Sequence, residues 1–441
     1  MSMPLRVDAW SSCSRRDLLR SVTLGGCGLS LPAMLRSRAA AAPATRRDTA
    51  VIFIQLGGGA SQFETYDPKP QAPAEYRGAF ASISTSVPGI AFSELMPEQA
   101  KLMDKLAVVR SVHHHEASHI ALHVVETGYF LQNPRNSTKG EMPCIGAIVA
   151  RTRGEHSADL PPAISLPKPL AYSDPHYLGA RYNWFAIDDD PNTKNFRVQN
   201  LQPEARLNAN RLKTRQSLWS DLTDAQALAN AAANGSGEAD AIDEFTRQAF
   251  ELLLGARMQS AIDIGRESDA TRDAYGRTPL GQRLLLARRL AEAGAPMILV
   301  RMFGWDDHEK LDRKMRERAP EYDRGVAALV RDLHARGLDR RVLVVAMGEF
   351  GRTPRVNGKA GRDHWPGTSS VLLAGGHYRM GQALGASDAK GAVPIASPYA
   401  PQSVLTMVYR HLGIDPAATF NDFNGRPRYI LEERTPIAEL G

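Results

Sequence analysis

Several features that would narrow the possible functions are scarce in this chain of 441 residues. It has three cysteines, and because two of them, Cys13 and Cys27, lie near the start, Cys144 has no partner for an intramolecular disulfide after processing. Aromatic residues make up 7% of the sequence, and no basic patch with interleaved aromatics suggests nucleic-acid binding. No apolar run is long enough to span a bilayer. The composition, 43% hydrophobic and 23% charged, is that of a folded globular protein.

The first 42 residues have the pattern of an export signal. Residues 14–20 read SRRDLLR, a twin-arginine motif, and a weakly apolar run and a stretch of small residues follow it. We expect the twin-arginine translocase to carry the chain, cleavage near Ala42, and a periplasmic or extracellular location without a stable membrane span. The segment Leu24-Gly25-Gly26-Cys27 also resembles a lipoprotein box, so acylation of Cys27 is an alternative.

Short apolar runs rich in β-branched residues alternate with helical patterns, which predicts a parallel sheet covered by helices. We expect strands at 49–56, 106–112, 296–303, 341–347 and 370–374. We expect helices at 118–131, 143–153, 242–264, 279–293, 312–335 and 401–412. Segment 159–237 breaks this rhythm with proline clusters and aromatic loops, and we interpret it as an insertion or cap. The sequence therefore predicts one three-layer α/β domain over 43–441, with a mostly parallel sheet and a capping insertion.

Acidic or imidazole side chains follow four of the predicted strands. The carboxyl ends of parallel strands share one edge of a sheet, and ligands bind at that edge in open α/β folds. We therefore expect a site there, although polar residues also gather in loops for no functional reason. The candidate ligands are His119, Asp306, His308, Glu349 and His364.

Two patterns favour a divalent cation over a general polar loop. Asp306 and His308 are two residues apart in an extended loop and can face the same way, although Asp306 could instead cap a helix. Glu116, His119 and His123 would share one helix face, although histidines on such a face are often core residues. Carboxylate plus imidazole suits zinc, manganese or iron better than calcium, because imidazole is a poor ligand for hard cations.

Two hydroxyls and one guanidinium are further candidates. Ser61 and Ser118 are placed to act as nucleophiles, but an unassisted serine is usually a cap. Arg352 could bind an anionic substrate group or pair with Glu349.

The order of motifs along the chain resembles the domain of unknown function 1501 family (DUF1501). The motifs are QLGGGASQFETYDPKP (55–70), VRSVHHHEASH (109–119), ARRLAEAGAPMILVRMFGWDDH (287–308), VVAMGEFGRTPRVN (344–357) and GRDHWPGTSSVLLAGG (361–376). The resemblance covers nearly all of the mature chain, and the paired GEFGRTP and GRDHW motifs are specific to it. It implies export through a twin-arginine signal and an alkaline phosphatase-like fold, which belongs to a superfamily that hydrolyses phosphate and sulfate esters with bound metal.

Carried over residue by residue, the resemblance implies roles for several positions. Ser118 lies ten residues before Gly128, which is similar to the spacing between the superfamily's nucleophile and its Thr-Gly pair. Asp306, His308 and His364 look like the ligands of one metal position. A second metal position has poorer counterparts, because glycines stand where the superfamily has an aspartate and Phe350 stands where it has a histidine.

We therefore expect a hydrolase of phosphate or sulfate esters, acting on a small-molecule or glycan substrate. One divalent ion, zinc or manganese, would be held by Asp306, His308 and His364, with Glu349 or His119 as a further ligand. Arg352 would balance developing charge, and Ser118 or a water molecule would attack. The alternative is a non-catalytic protein that binds a glycan or a partner protein through aromatic residues of the insertion, namely Tyr177, Tyr182, Trp184 and Phe185.

Overall fold

The computed structural model describes residues 48–132, 140–154, 160–170, 172–194, 196–198, 214, 217–218 and 255–441. The predicted export signal lies outside the described residues. About half of the predicted insertion and the first part of the helix predicted over 242–264 also lie outside them.

A mixed sheet of eight strands runs through the described residues, in the order β8-β2-β7-β6-β1-β5-β3-β4. In chain order these strands are β1 (Ala50–Gly57), β2 (Leu106–Val112), β3 (Ala163–Leu166), β4 (Phe185–Ala186), β5 (Met297–Phe303), β6 (Val342–Met347), β7 (Ser369–Gly375) and β8 (Gln382–Leu384). All five predicted strands are confirmed, as β1, β2, β5, β6 and β7. The sheet is mostly parallel, as expected.

Strand β7 is an exception to the parallel pairing that the alternation of strands and helices predicted for most of the sheet. It runs antiparallel to both β2 and β6. The segment between β6 and β7, residues 348–368, contains no helix. A parallel neighbour needs a crossover of a dozen or more residues that is usually helical, whereas a direct return gives an antiparallel strand.

Three strands of this sheet were not expected from the sequence. Strands β3 and β4 come from residues 160–198, within the predicted insertion, and they extend one edge of the sheet beside β5. Part of the predicted insertion therefore belongs to the main sheet. For the remaining residues of 159–237, a capping role stays a prediction. Strand β8 has three residues and adds to the other edge beside β2. Runs this short carry no periodicity that a sequence could show.

Helices cover both faces of the sheet. Those with both ends among the described residues are α1 (Ala74–Arg77), α2 (Pro97–Ala100), α3 (Ala121–Thr127), α4 (Ile145–Arg153), α5 (Ala256–Ile262), α6 (Asp269–Tyr275), α7 (Pro279–Ala293), α8 (Leu311–Ala335) and α9 (Pro401–His411). Local signals set the ends of α7: the Thr278 side chain accepts a hydrogen bond from the Gly281 amide at 3.1 Å, Pro279 opens the helix, and Gly294 ends it with φ 107°.

Alternate residues of β1 show the three layers. Ile52 and Ile54 pack into one apolar cluster with α7 and α8, whereas Val51 and Phe53 pack into a second with α4 and α9. Each fully buried aliphatic side chain contributes roughly 1.5–3 kcal/mol, so these two clusters hold the layers together. Cys144 lies in the second cluster as a buried cysteine.

Short antiparallel pairs lie outside the central sheet. They join Ser82–Ser84 to Ala91–Ser93, Gly351–Arg352 to His364–Trp365, Ala386–Ser387 to Pro394–Ala396, and Thr419–Asn421 to Pro427–Tyr429. The second pair sets Arg352 opposite His364 and so brings the GEFGRTP and GRDHW motifs together. Among the described helices, none has the length and apolar character that a membrane span requires.

Candidate metal centre

Loops that follow β1, β2, β5 and β6 meet at the carboxyl edge of the sheet, as the sequence predicted. Gly58 allows the loop after β1 to approach the loop after β5 closely. A Cβ atom placed on Gly58 would lie 2.5 Å from the amide nitrogen of Asp306, and Gly58 has a φ of 108°. A larger residue would clash and be strained there, so the glycine loop fixes where Asp306 sits.

The Asp306 carboxylate is the centre on which three imidazoles converge. Its Oδ1 atom lies 2.9 Å from His364 Nε2 and 3.0 Å from His308 Nε2. Its Oδ2 atom lies 3.3 Å from His119 Nε2. The two Nε2 atoms of His308 and His364 are themselves 3.1 Å apart. The three residues predicted to share one metal position thus do meet, and His119 joins them.

The other ring nitrogen of each histidine faces an oxygen that can only accept a hydrogen bond. The pairs are His119 Nδ1 with Glu349 Oε1 at 2.8 Å, His308 Nδ1 with Asp363 Oδ1 at 2.7 Å, and His364 Nδ1 with the Ala117 carbonyl at 2.8 Å. Each Nδ1 must therefore carry a proton. In the neutral imidazole this leaves the Nε2 lone pair directed at Asp306, which is the arrangement of metal-ligating histidines with fixed tautomers.

These acceptor atoms fit a divalent cation. Nitrogen and oxygen ligands of zinc lie about 2.0–2.2 Å from the ion, so ligand atoms in a tetrahedral site are roughly 3.4 Å apart. The observed separations of 2.9–3.3 Å about Asp306 are close to that value. The ligand atoms of His119, Asp306 and His364 also all lie within 4.8 Å of one another.

Charges around the centre keep Asp306 ionised. Partial burial raises its pKa, but the hydrogen bond that the Arg352 guanidinium donates and the contact with the His364 imidazole lower it more, and the net pKa lies well below the ordinary value. The pKa of His119 is raised, chiefly by its hydrogen bond to Glu349. Both shifts reflect how closely opposite charges are gathered here.

Arg352 lies behind Asp306 and is almost completely buried. Its guanidinium donates to Asp306 Oδ1 at 2.6 Å, to the Gly59 and Arg362 carbonyls at 2.9 Å each, and to the Gly58 carbonyl. Balancing a developing charge, the role predicted for Arg352, would require one of these bonds to be exchanged. In the structure Arg352 positions Asp306 and joins it to the glycine loop.

Glu349 lies behind His119 in a similar way. Its buried carboxylate accepts hydrogen bonds from the Gly58 amide at 2.9 and 3.1 Å and from His119 Nδ1. The contact with His119 Nδ1 orients the His119 imidazole. Direct binding of a metal ion by Glu349 stays a prediction. His114 Nε2 contacts the Glu349 carbonyl at 2.7 Å and ties this segment to the loop after β2.

Ser118 is exposed and lies between two residues that touch the centre, Ala117 and His119. Its hydroxyl donates to Glu116 Oε1 at 2.7 Å, and its amide donates to the same oxygen at 2.8 Å. A serine hydroxyl bonded to a carboxylate is a pattern for an activated nucleophile, but its role stays a prediction. Ser61, the other candidate hydroxyl, is buried and bonds to Glu64.

The expected helix face with His119 and His123 does not form, because α3 begins only at Ala121. His123 is buried, lies 2.7 Å from the Tyr129 carbonyl through Nδ1, and accepts from the Glu141 amide at 3.0 Å. It is a core residue, which was the alternative interpretation.

Sequence reasoning missed the supporting residues. It did not assign Asp363 the task of fixing His308, nor Asn357 that of donating to the His308 carbonyl at 3.0 Å. The adjacency of Asp363 to His364 in the GRDHW motif was the available signal. Phe350, which replaces a possible second-metal histidine, stacks on His364 with ring centroids 4.3 Å apart.

Comparison with known proteins gives a family and distant structural likenesses. The family model described as "Protein of unknown function (DUF1501)" matches residues 48–440. No curated protein matches the chain. Three similar solved structures are the PsFucS1 sulfatase from Pseudoalteromonas sp. (13% identity, 87% of this chain and 70% of that chain, TM-score 0.36), the lipoteichoic acid synthase LtaP from Listeria monocytogenes (10%, 84% and 73%, 0.34) and the phosphonate monoester hydrolase SpPMH from Silicibacter pomeroyi (13%, 84% and 74%, 0.31).

Proposed function

The chain belongs to the DUF1501 family, and we propose that it is a metal-dependent hydrolase of phosphate or sulfate esters. One observation carries this proposal: three imidazoles, each with Nδ1 engaged, direct Nε2 at the Asp306 carboxylate. When the imidazoles are neutral, so many acceptors at one point repel one another unless a cation lies among them. The same resemblance that identified the family implies ester hydrolysis as the reaction class.

The residues divide into ligands and supports. Asp306 and the three histidines would hold zinc or manganese, which suits a carboxylate and imidazole donor set. Behind these ligands, Asp363 and Glu349 fix two of the imidazoles and Arg352 keeps Asp306 ionised. When bound, a divalent cation supplies Lewis-acid polarisation of the ester and lowers the pKa of a nearby hydroxyl or water.

Ser118 and Glu116 are the nucleophile and base of the proposed reaction. The Ser118 oxygen would form a bond to phosphorus or sulfur while its proton passes to Glu116, and the ester oxygen would leave with the bonding electrons and take that proton to become the alcohol. Water would then attack phosphorus or sulfur and give a proton to Glu116, and the Ser118 oxygen would leave, take that proton and release the inorganic anion. The observed hydrogen bond from Ser118 to Glu116, at 2.7 Å, supports the first proton transfer.

Metal analysis together with an ester panel tests the proposal. Protein purified without chelators should contain about one transition-metal ion per chain and hydrolyse aryl phosphates or aryl sulfates. His364→Ala should lose both properties, and Ser118→Ala should keep the metal but lose hydrolysis. His334→Ala, which removes a half-buried histidine on α8, is the matched control. A chain that contains no transition metal, or a His364→Ala variant as active as the parent, contradicts the proposal.

We also propose that residues 1–42 direct export through the twin-arginine translocase. Support comes from the SRRDLLR motif in the sequence. Cell fractionation should find the parent outside the cytoplasm, whereas replacing Arg15 and Arg16 with lysine should retain it inside. Equal export of the two proteins would refute this route.

A further inference from the structure

We propose that a second cleft, the aromatic cleft, binds a sugar ring of a polysaccharide whose ester group lies at the metal centre. This inference names a substrate class and therefore rests on the proposed function. The aromatic cleft has a volume of about 300 Å³, which is at the lower end of the range for small-molecule sites. It is lined by Tyr129, Phe130, Gln132, Glu141, Met142, His176, Tyr177, Asp422, Phe423, Asn424 and Arg428.

Aromatic faces form one part of the lining. Phe423 is 75% exposed, which is unusual for so large an apolar side chain. Its ring packs edge to face against His176 at 5.1 Å and Tyr177 at 6.3 Å. The faces of a sugar ring carry C–H groups, so an exposed aromatic ring of this kind offers it an apolar platform.

Some polar side chains of the lining have no hydrogen-bond partner among the described residues. Those of Tyr177, Asn424 and Arg428 make no hydrogen bond within the part of the chain that the structure describes. Hydroxyls at the edge of a sugar ring both donate and accept, which matches an amide, a phenol and a guanidinium together.

The charge of the lining favours a sugar over a nucleotide. Glu141 and Asp422 set two carboxylates against one guanidinium, that of Arg428. A nucleotide phosphate would need a net positive lining, whereas uncharged hydroxyls are compatible with both signs. The anionic part of the substrate would instead lie at the metal centre.

A short path of contacts connects the aromatic cleft to that centre. Phe130, in the cleft wall, stacks on His115 with ring centroids 3.8 Å apart and lies 6.4 Å from His114. His114 contacts the Glu349 carbonyl, and the Glu349 side chain contacts the ligand His119. The loop after β2 therefore joins the cleft wall to the centre, and the proposal requires one extended polymer to lie along both.

Affinity electrophoresis of the full chain tests the inference. Native gels would contain chondroitin sulfate, carrageenan, dextran sulfate or neutral dextran as the probes. At least one sulfated polysaccharide should retard the parent, and Phe423→Ala and Tyr177→Ala should weaken binding about tenfold, as loss of one stacking contact implies. Ile395→Ala, which removes an apolar side chain that is 68% exposed and lies outside the cleft, should bind like the parent. No retardation by any probe, or unchanged binding by both aromatic variants, overturns the inference.

Two further measurements separate this inference from the proposed function. Phe423→Ala should keep the parent's metal content and its thermal midpoint, because the side chain is exposed and lies outside the centre and the core. Loss of both would show a general folding defect and overturn the assignment of a binding role. If the parent binds polysaccharide through Phe423 but hydrolyses no ester, the proposed function fails while the cleft stands.

Discussion

Adding zinc or manganese to metal-free protein should raise its thermal midpoint, and His364→Ala should abolish the rise. A cation that binds only the folded state stabilises it by RT ln(1 + [L]/Kd), about 2.7 kcal/mol when the free ion is at 100 times Kd. The entropy of unfolding is about 2.1 cal/mol/K per residue, so a unit spanning residues 47–441 has about 0.8 kcal/mol/K. Dividing the two gives an expected rise of about 3 °C.

Differential scanning calorimetry after dialysis against a chelator measures this rise. His364→Ala should show none, because it removes a ligand whose Nε2 lies 2.9 Å from Asp306. His334→Ala should show the full rise, since His334 contacts Asp339 and lies on α8. The reasoning about converging lone pairs is wrong if neither metal raises the thermal midpoint of the parent. It is also wrong if the midpoint of His364→Ala rises as much as that of the parent.

Three further predictions concern residues around the centre and in the scaffold. Asp363→Asn removes the carboxylate that fixes one ligand histidine and should weaken metal binding 10–100-fold by isothermal titration without changing the fold. Arg362→Met breaks a buried ion pair with Glu64 and should cost about 3–5 kcal/mol in urea unfolding, whereas the double variant Arg362→Met/Glu64→Met should cost less than the sum of the two single changes. Burial raises the pKa of Glu267, but hydrogen bonds from Arg288 and Arg289 lower it more. The net pKa in the folded protein therefore lies below the pKa in the unfolded chain. The stabilisation is therefore present above about pH 4.5 and lost as pH falls through the folded pKa. Glu267→Gln should accordingly be less stable than the parent at pH 7, and a difference that does not shrink on acidification would contradict this.

Much of the fold could be predicted from the sequence because its inner strands are continuous apolar runs. Strands β1, β5 and β6 are buried on both faces, which is typical of a parallel sheet covered by helices. The direction of β7 is not encoded in its own residues. It follows from the connection, because the sequence predicted no helix between 347 and 370 and a direct return gives an antiparallel strand.

The candidate site was predictable in its ligands but not in its supports. Asp306 and His308 leave β5 at the same edge that His364 reaches through the short pairing of Gly351–Arg352 with His364–Trp365. That convergence follows from topology alone. Whether Arg352 meets a substrate or a carboxylate depends on its burial, and burial of a charged side chain is a property of the packed structure.

Under the proposed function we expect one metal ion per chain. A second ion would need ligands beside Glu349, and there the amide of Gly58 already donates to that carboxylate at 2.9 and 3.1 Å. On the adjacent side the ring of Phe350 stacks on His364 and offers no lone pair. Replacing Phe350 with histidine should therefore leave the metal content unchanged, since the Gly58 amide would still donate hydrogen bonds to the Glu349 carboxylate. A measured ratio of two ions per chain in the parent would refute this.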